Sequence, residues 1–146
     1  MATVTNTAIS MQLQPYIFFY GKCEEALEYY KDALGGEYEL QRMGEAPPEM
    51  IQDLPAGQSG KVMHASFTGA GISFLASDGR ETKTIDPEAG NISLALNLSD
   101  RATGERIFKA LAQGGRVSMP LDDAFWGGRF GDVIDRFGIE WMITTP

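Results

Sequence analysis

The stretch Asn91-Ile92-Ser93-Leu94-Ala95-Leu96-Asn97-Leu98 alternates without a fault. Ile92, Leu94, Leu96 and Leu98 fall on one side of an extended chain and Asn91, Ser93, Ala95 and Asn97 on the other, the period of a half-buried strand. Ser99-Asp100 then offers a helix cap, Ile107, Phe108 and Leu111 recur at helical spacing, and Gly114-Gly115 ends the segment. Val117 opens a short strand, residues 119–128 read as a loop, and 129–134 with 139–144 read as a closing hairpin.

The same order is written upstream. Leu13-Gln14-Pro15-Tyr16-Ile17-Phe18-Phe19-Tyr20 is aromatic-rich, as strands are, and Pro15 puts it at an edge or a strand start. Ala26, Leu27, Tyr30, Ala33 and Leu34 mark a helix closed by Gly35-Gly36. Residues 37–43 form a weak strand, 44–60 a long loop and 78–90 a polar loop. The segment 61–68 alternates, with Met63, Ala65 and Phe67 inward and Val62, His64, Ser66 and Thr68 outward; 72–77 is its hairpin partner. Both helices end in Gly-Gly, at 35 and at 114, 79 residues apart. One βαβββ unit is therefore written twice, over 12–77 and 90–146, in a single α+β domain of 1–146 with a flexible tail at 1–10.

Composition narrows the class. With 146 residues, 43% hydrophobic and 22% charged, the chain can bury a core and is not disordered. No run approaches the length of a membrane span, and the N-terminus lacks the pattern of a secretory signal. With a single cysteine, Cys23, no intramolecular disulfide forms, and a cytoplasmic location is expected. Twenty acidic residues against twelve basic give a net charge of −8. The cations are scattered singly from Lys22 to Arg136, so neither nucleic acid nor an anionic membrane is an expected partner.

Several local words carry a resemblance. Pro15-Tyr16-Ile17-Phe18-Phe19, Glu25-Ala26-Leu27-Glu28-Tyr29-Tyr30, Leu34-Gly35-Gly36, Val62-Met63-His64-Ala65, Ser77-Asp78, Phe125-Trp126-Gly127 and Asp135-Arg136-Phe137-Gly138-Ile139-Glu140-Trp141 together resemble the PhnB-like branch of the glyoxalase, bleomycin-resistance and dioxygenase (vicinal oxygen chelate) superfamily. The branch carries the label 3-demethylubiquinone 3-methyltransferase-like, and the likeness spans 12–144. Arg136 departs from the branch's usual proline, which loosens the turn before the last strand. The resemblance implies two βαβββ modules whose curled mixed sheets surround a cleft, with helices on the convex side, and a homodimer. Apolar surface from Phe18, Phe19 and Tyr20 is expected to support that pairing.

Carried over strand by strand, the superfamily's metal positions fall at Pro15, Phe74, Asn91 and Met142. That set cannot hold a divalent cation, and Glu140 with His64 offers at most a two-ligand remnant, so no metal and no other cofactor is expected. Nor does any βαβ crossover suited to S-adenosylmethionine appear. His64, the single histidine, is the candidate acid or base, with a cross-sheet structural role as the alternative. The groove is expected to take ligand contacts from Ile17, Ser66, Phe74, Asn91, Ser93, Trp126, Arg129, Glu140 and Met142. Trp126 suits an aromatic lid, or else a core anchor. Arg129 either clamps an anion or pairs with Asp132 or Asp135. Cys23 reads as a buried structural thiol.

The functional expectation is a PhnB-like protein binding a small organic molecule in a metal-free cleft. If it is an enzyme, the reaction is of lyase, isomerase or transferase type with His64 as acid or base. The alternative is a non-catalytic sequestering protein of the bleomycin-resistance type, and a metal-dependent lyase or dioxygenase ranks third.

Overall fold

A computed structural model describes residues 10–50, 57–79, 83, 85–88 and 90–146. The expected tail therefore lies outside the described residues except for Ser10. The element order is β1 (Tyr16–Phe18), α1 (Cys23–Leu34), β2 (Glu37–Arg42), β3 (Val62–Gly69), β4 (Ile72–Ser77), β5 (Leu94–Asn97), α2 (Arg101–Ala112), β6 (Arg116–Asp123), β7 (Arg129–Ile134) and β8 (Glu140–Thr145). Short 3-10 turns at Met43–Glu45 and Pro48–Met50 follow β2. The strands form two four-stranded sheets of identical design, β1-β4-β3-β2 and β5-β8-β7-β6. In each, the first strand runs parallel to the last and the other pairs are antiparallel. The duplication read from the glycine pairs is thus a duplication of topology.

Those glycines act at equivalent places. Gly35 and Gly114 take positive φ, 75° and 76°, where a side chain would be strained. A Cβ on Gly36 would lie 2.6 Å from the Thr68 carbonyl oxygen of β3, and one on Gly115 would collide with the Ile134 carbonyl oxygen of β7. Each helix is thereby turned back tightly onto the third strand of its own sheet.

One face of each sheet packs on the helices. Ala65, Phe67, Phe74 and Ala76 from the first sheet, Val133, Trp141 and Ile143 from the second, and Leu27, Tyr30, Ile107, Phe108 and Leu111 from the helices form one core cluster. Contacts joining the two modules lie on this helix side. Tyr30 sits between the sheets, its ring 5.9 Å from Phe74 and 5.6 Å from Trp141, and Phe19 meets Phe137 at 6.1 Å. The Tyr29 hydroxyl donates to the Ala110 carbonyl at 2.7 Å.

Two buried aspartates fix the chain where it leaves the sheets. Asp78 accepts from the backbone N–H groups of Cys23 (2.8 Å) and Val62 (2.7 Å), acting as a remote cap for α1, which has no side-chain cap of its own. Asp135 accepts from the Tyr30 hydroxyl (2.5 Å), the Trp141 indole (2.8 Å) and the backbone of Phe137 and Ile139. Burial raises its carboxyl above the usual range, and these donors oppose the rise. By contrast, α2 is capped locally, the Asp100 carboxylate accepting from the Thr103 N–H at 2.9 Å.

The structure corrects several expectations. Residues 119–123 belong to strand β6, an edge strand whose register slips between Val117 and Met119 and again between Met119 and Asp122; Pro120 is tolerated there because that edge is unpaired. β5 begins only at Leu94, so Ile92 lies 84% exposed and does not pack on the helices. A register shift opposite Gln41 and Arg42 turns Val62 into the core. Phe19 is buried and supplies no surface for pairing. Arg136 does not loosen its turn: its guanidinium lies 4.4 Å from the Tyr29 ring centroid, and Nε donates to the Gln113 carbonyl.

Candidate functional site

The helix-free face of each sheet follows from register. In the first sheet Phe67 pairs with Phe74 and Ala65 with Ala76 on the core side, so His64, Ser66 and Leu75 lie on the other side. Tyr16 is opposite Leu75 and Phe18 opposite Ser77, which places both rings on that face as well. Tyr16 is 43% and Phe18 47% exposed. The Tyr16 ring stands edge-on to His64 at 6.1 Å and tilted to Phe18 at 5.1 Å, and Phe18 stacks on Tyr20 at 6.3 Å. His64 is exposed, and among the described residues no hydrogen bond ties its imidazole. The cross-sheet role weighed for it thus has no bond behind it. Its neighbour across the sheet is Gln41, and Glu39 is opposite Ser66.

In the second sheet Trp141, Ile143 and Thr145 are buried, so Glu140, Met142 and Thr144 face away from the helices. Asp132 is opposite Met142 and Phe130 opposite Thr144. Ser93, just ahead of β5, donates its hydroxyl to Glu140, and the Thr144 hydroxyl donates to the Asn97 side chain at 2.6 Å. Asp132 is raised to about 6, first by burial and then by the Glu140 carboxylate beside it. One of its oxygens, Oδ1, is buried without a partner. At the end of this face Trp126 meets Phe125 at 4.9 Å and Phe130 at 5.8 Å, in the turn between β6 and β7. They help line a largely apolar cavity of about 460 Å³ with Met119 and Pro120.

Of the residues expected to line a groove, Ser66, Ser93, Glu140 and Met142 lie on helix-free faces, with His64 among them on the first sheet. Trp126 is 62% exposed, which sets aside the core-anchor alternative. Asn91 is exposed but precedes the strand. Three placements are corrected. Phe74 is buried, stacked 4.9 Å from Phe67. Ile17 packs against the core opposite Ala76. Arg129 faces the helix side, pairing with Glu105 of α2 and donating to the Leu121 carbonyl at 2.7 Å, and it engages neither Asp132 nor Asp135. Burial pushes the Cys23 thiol up to about 12, so it is no nucleophile near neutral pH. The sequence reading missed Tyr16, Phe18, Leu75 and Phe130 as face residues. Tyr16 and Phe18 share a period of two that only the pairing with β4 makes readable.

Among the described residues no group of three or more His, Cys, Asp or Glu side chains is placed to hold an ion. His64 and Glu140 stand on different sheets. Nor is any described helix long and apolar enough to cross a membrane.

Residues 11–144 match the family model for 3-demethylubiquinone-9 3-methyltransferase. The chain is 32% identical over 143 residues to protein YjdN of Escherichia coli strain K12, covering 92% of this chain and 95% of YjdN. The crystal structure of protein PA1353 from Pseudomonas aeruginosa superposes with a TM-score of 0.78 at 37% identity, covering 93% of this chain and 98% of that one. A PhnB protein from Bacillus cereus superposes at 0.75 with 28% identity, covering 93% and 100%. Its two mixed four-stranded sheets give it the fold of glyoxalase/bleomycin resistance protein/dioxygenase superfamily members, and over residues 11–144 this chain belongs to the 3-demethylubiquinone-9 3-methyltransferase family.

Proposed function

We propose that this PhnB-like protein binds a small organic molecule, without a metal, on the helix-free face of its first sheet, and that it works as a homodimer. The observation that carries the reading is the row Tyr16, Phe18 and Tyr20 beside His64. Tyr16 and Phe18 stay about half exposed on a face that no helix among the described residues covers. Aromatic rings held in a row by a strand are a ready surface for a flat or apolar ligand, and leaving them in water is unfavourable. Ser66 and His64 add polar contacts that orient such a ligand.

His64 can accept or give a proton at such a ligand, since nothing in the described chain occupies its ring nitrogens. The second face, with Glu140, Ser93 and Asp132, supplies carboxylate and hydroxyl contacts instead. The name of the family speaks of methyl transfer. Among the described residues no βαβ crossover for a nucleotide-like cofactor accompanies these faces, and binding is the function that the faces support.

The test uses 1-anilinonaphthalene-8-sulfonate as an aromatic probe, followed by fluorescence. Binding should weaken about tenfold in Tyr16→Ala/Phe18→Ala, the loss of two stacked contacts. It should stay unchanged in Met119→Ala at the far sheet edge. Equal loss in both variants, or in neither, refutes the first-sheet site. Light scattering that finds only the monomer at micromolar concentration refutes the homodimer.

A further inference from the structure

We propose that the tip of the β6–β7 hairpin is a second binding site, apart from the helix-free face of the first sheet, that takes an organic cation, an ammonium centre clothed in alkyl groups. A hollow of about 460 Å³ opens there, walled by Phe125, Trp126 and Phe130, and among the described residues the only charges on its lining are the carboxylates of Asp122 and Asp123. Trp126 stands edge-on to both phenyl rings, at 82° and 4.9 Å from Phe125 and at 65° and 5.8 Å from Phe130. Rings so steeply inclined to one another make walls instead of a flat platform. Phe125 is 97% and Trp126 62% exposed, and aromatic area of that size is unfavourable in water until a ligand covers it.

The backbone fixes the turn that carries the rings. The Ala124 N–H donates to the Gly128 carbonyl at 2.9 Å, and the Gly127 N–H to the Ala124 carbonyl at 3.0 Å. Gly127 and Gly128 take positive φ, 105° and 68°. A Cβ on Gly128 would lie 2.7 Å from the Thr145 carbonyl oxygen of β8, so the turn sits tightly against the end of that strand. Phe130 is placed separately, by its pairing with Thr144. The walls are thus set before any ligand arrives, which lowers the entropy lost on binding.

Register decides which carboxylate serves. Asp122 is opposite Phe130 and shares its side of the sheet, whereas Asp123 is opposite Arg129, on the helix side. Oδ1 of Asp122 accepts the Asp123 N–H at 2.8 Å, a bond that leaves the negative charge in place. Among the described residues no cation pairs with Asp122. Arg116 and Arg129, which flank it in sequence, are held by Glu88 and Glu105. Aromatic faces add negative charge density of their own, and the net charge of −8 favours the approach of cations. A small hydrated metal ion would lose water against the rings without gaining oxygen ligands. An alkylated ammonium carries its charge beneath carbon, so it meets the rings through cation–π contact and Asp122 through its charge. An anion such as 1-anilinonaphthalene-8-sulfonate is repelled here, so this site and the first-sheet face answer to different probes.

Titration of the full chain with benzyltrimethylammonium, read by calorimetry and tryptophan fluorescence, tests the site. Trp141, the other tryptophan, is buried, so a fluorescence change reports the hairpin. Saturable binding of one equivalent per chain is expected, weakening as salt is raised. Choline should bind about tenfold more tightly than 3,3-dimethyl-1-butanol, its uncharged isostere. Trp126→Ala should weaken benzyltrimethylammonium binding about tenfold, and Trp126→Phe, which keeps a ring, about threefold. Asp122→Asn should weaken it about fivefold. Asp32→Asn, which removes the same charge from the exposed face of α1, should leave it unchanged. Thermal melts without ligand separate lost binding from lost folding, and the isostere comparison needs no variant. The proposal is overturned by the absence of a saturable signal, by the uncharged isostere matching choline, by equal losses in Asp122→Asn and Asp32→Asn, or by a folded Trp126→Ala chain that keeps its affinity. In that last case, a fall in molar mass by light scattering on the same substitution would assign the rings to contact between copies of the chain.

Discussion

The two modules share strand order, helix position and a glycine pair at each helix end, yet their helix-free faces have diverged. The first presents Tyr16, Phe18, His64, Ser66 and Leu75, and the second Glu140, Asp132, Met142, Thr144 and Ser93. Backbone requirements are common to both because both must bring a helix close to a third strand, and only glycine allows that approach. The outward residues carry no such duty. A duplicated unit can thus hold its topology while one copy sets an aromatic row beside a histidine and the other sets two carboxylates, Asp132 and Glu140, side by side. The difference extends to anchoring: α1 depends on the distant Asp78, whereas α2 carries its own Asp100.

The comparison breaks most visibly at the two buried aspartates. Asp135→Ala strands four donors, two of them on the buried rings Tyr30 and Trp141, and should cost about 4 kcal/mol. Asp78→Ala strands two backbone N–H groups and should cost about 2 kcal/mol. Urea unfolding of both variants measures the pair, and equal losses would mean that the number of stranded donors does not set the cost. The glycine pairs come next. Gly115→Ala and Gly36→Ala each push a methyl group into a strand carbonyl, and each should destabilise by about 2 kcal/mol. If one is tolerated, the tight helix return is required in only one module.

Much of this duplication was legible in the chain, and the exceptions have physical causes. The 91–98 pattern gave the phase of Leu94, Leu96 and Leu98, which pack against the core, because large apolar residues alternate there with small or polar ones. Phe74-Leu75-Ala76 and Tyr16-Ile17-Phe18 are apolar at successive positions, so period-two reading could not choose a face. Pairing of Phe74 with Phe67 and of Ile17 with Ala76 made the choice. β6 escaped notice since an edge strand with Pro120 and two register slips lacks a clean alternation. Arg129 was misassigned because its partner, Glu105, lies 24 positions back, on a helix that only the tertiary fold brings near. In the second sheet the phase of Ser93 could be read from the alternation of 91–98, whereas Met142 came from the positions that the resemblance carries over, and Glu140 lies two residues along the same face.

The smallest expected effect is the most specific to the second face. Asp132 is half-buried beside Glu140, and its carboxyl is raised from 3.8 to about 6, by burial first and by its neighbour second. The folded chain therefore holds this proton more tightly than the unfolded chain does between about pH 4 and 6. More protons bound in the folded state means that stability falls as pH rises through that window, and the full penalty is present at pH 7. Asp132→Asn removes the charge and so should gain on the parent chain as pH rises from 4 to 7. Solvent screening of this partly exposed group reduces the gain to about 1 kcal/mol. Glu140→Gln should recover only part of it, because burial, the larger cause, remains. On the sister face Ser66→Ala, which changes no charge, should leave the slope of stability against pH unchanged. Chemical unfolding at several pH values from 4 to 7 reads all four chains. A pH-independent gain in Asp132→Asn would mean that packing, and not the proton, sets Asp132 apart, and would remove the electrostatic part of the contrast between the two faces.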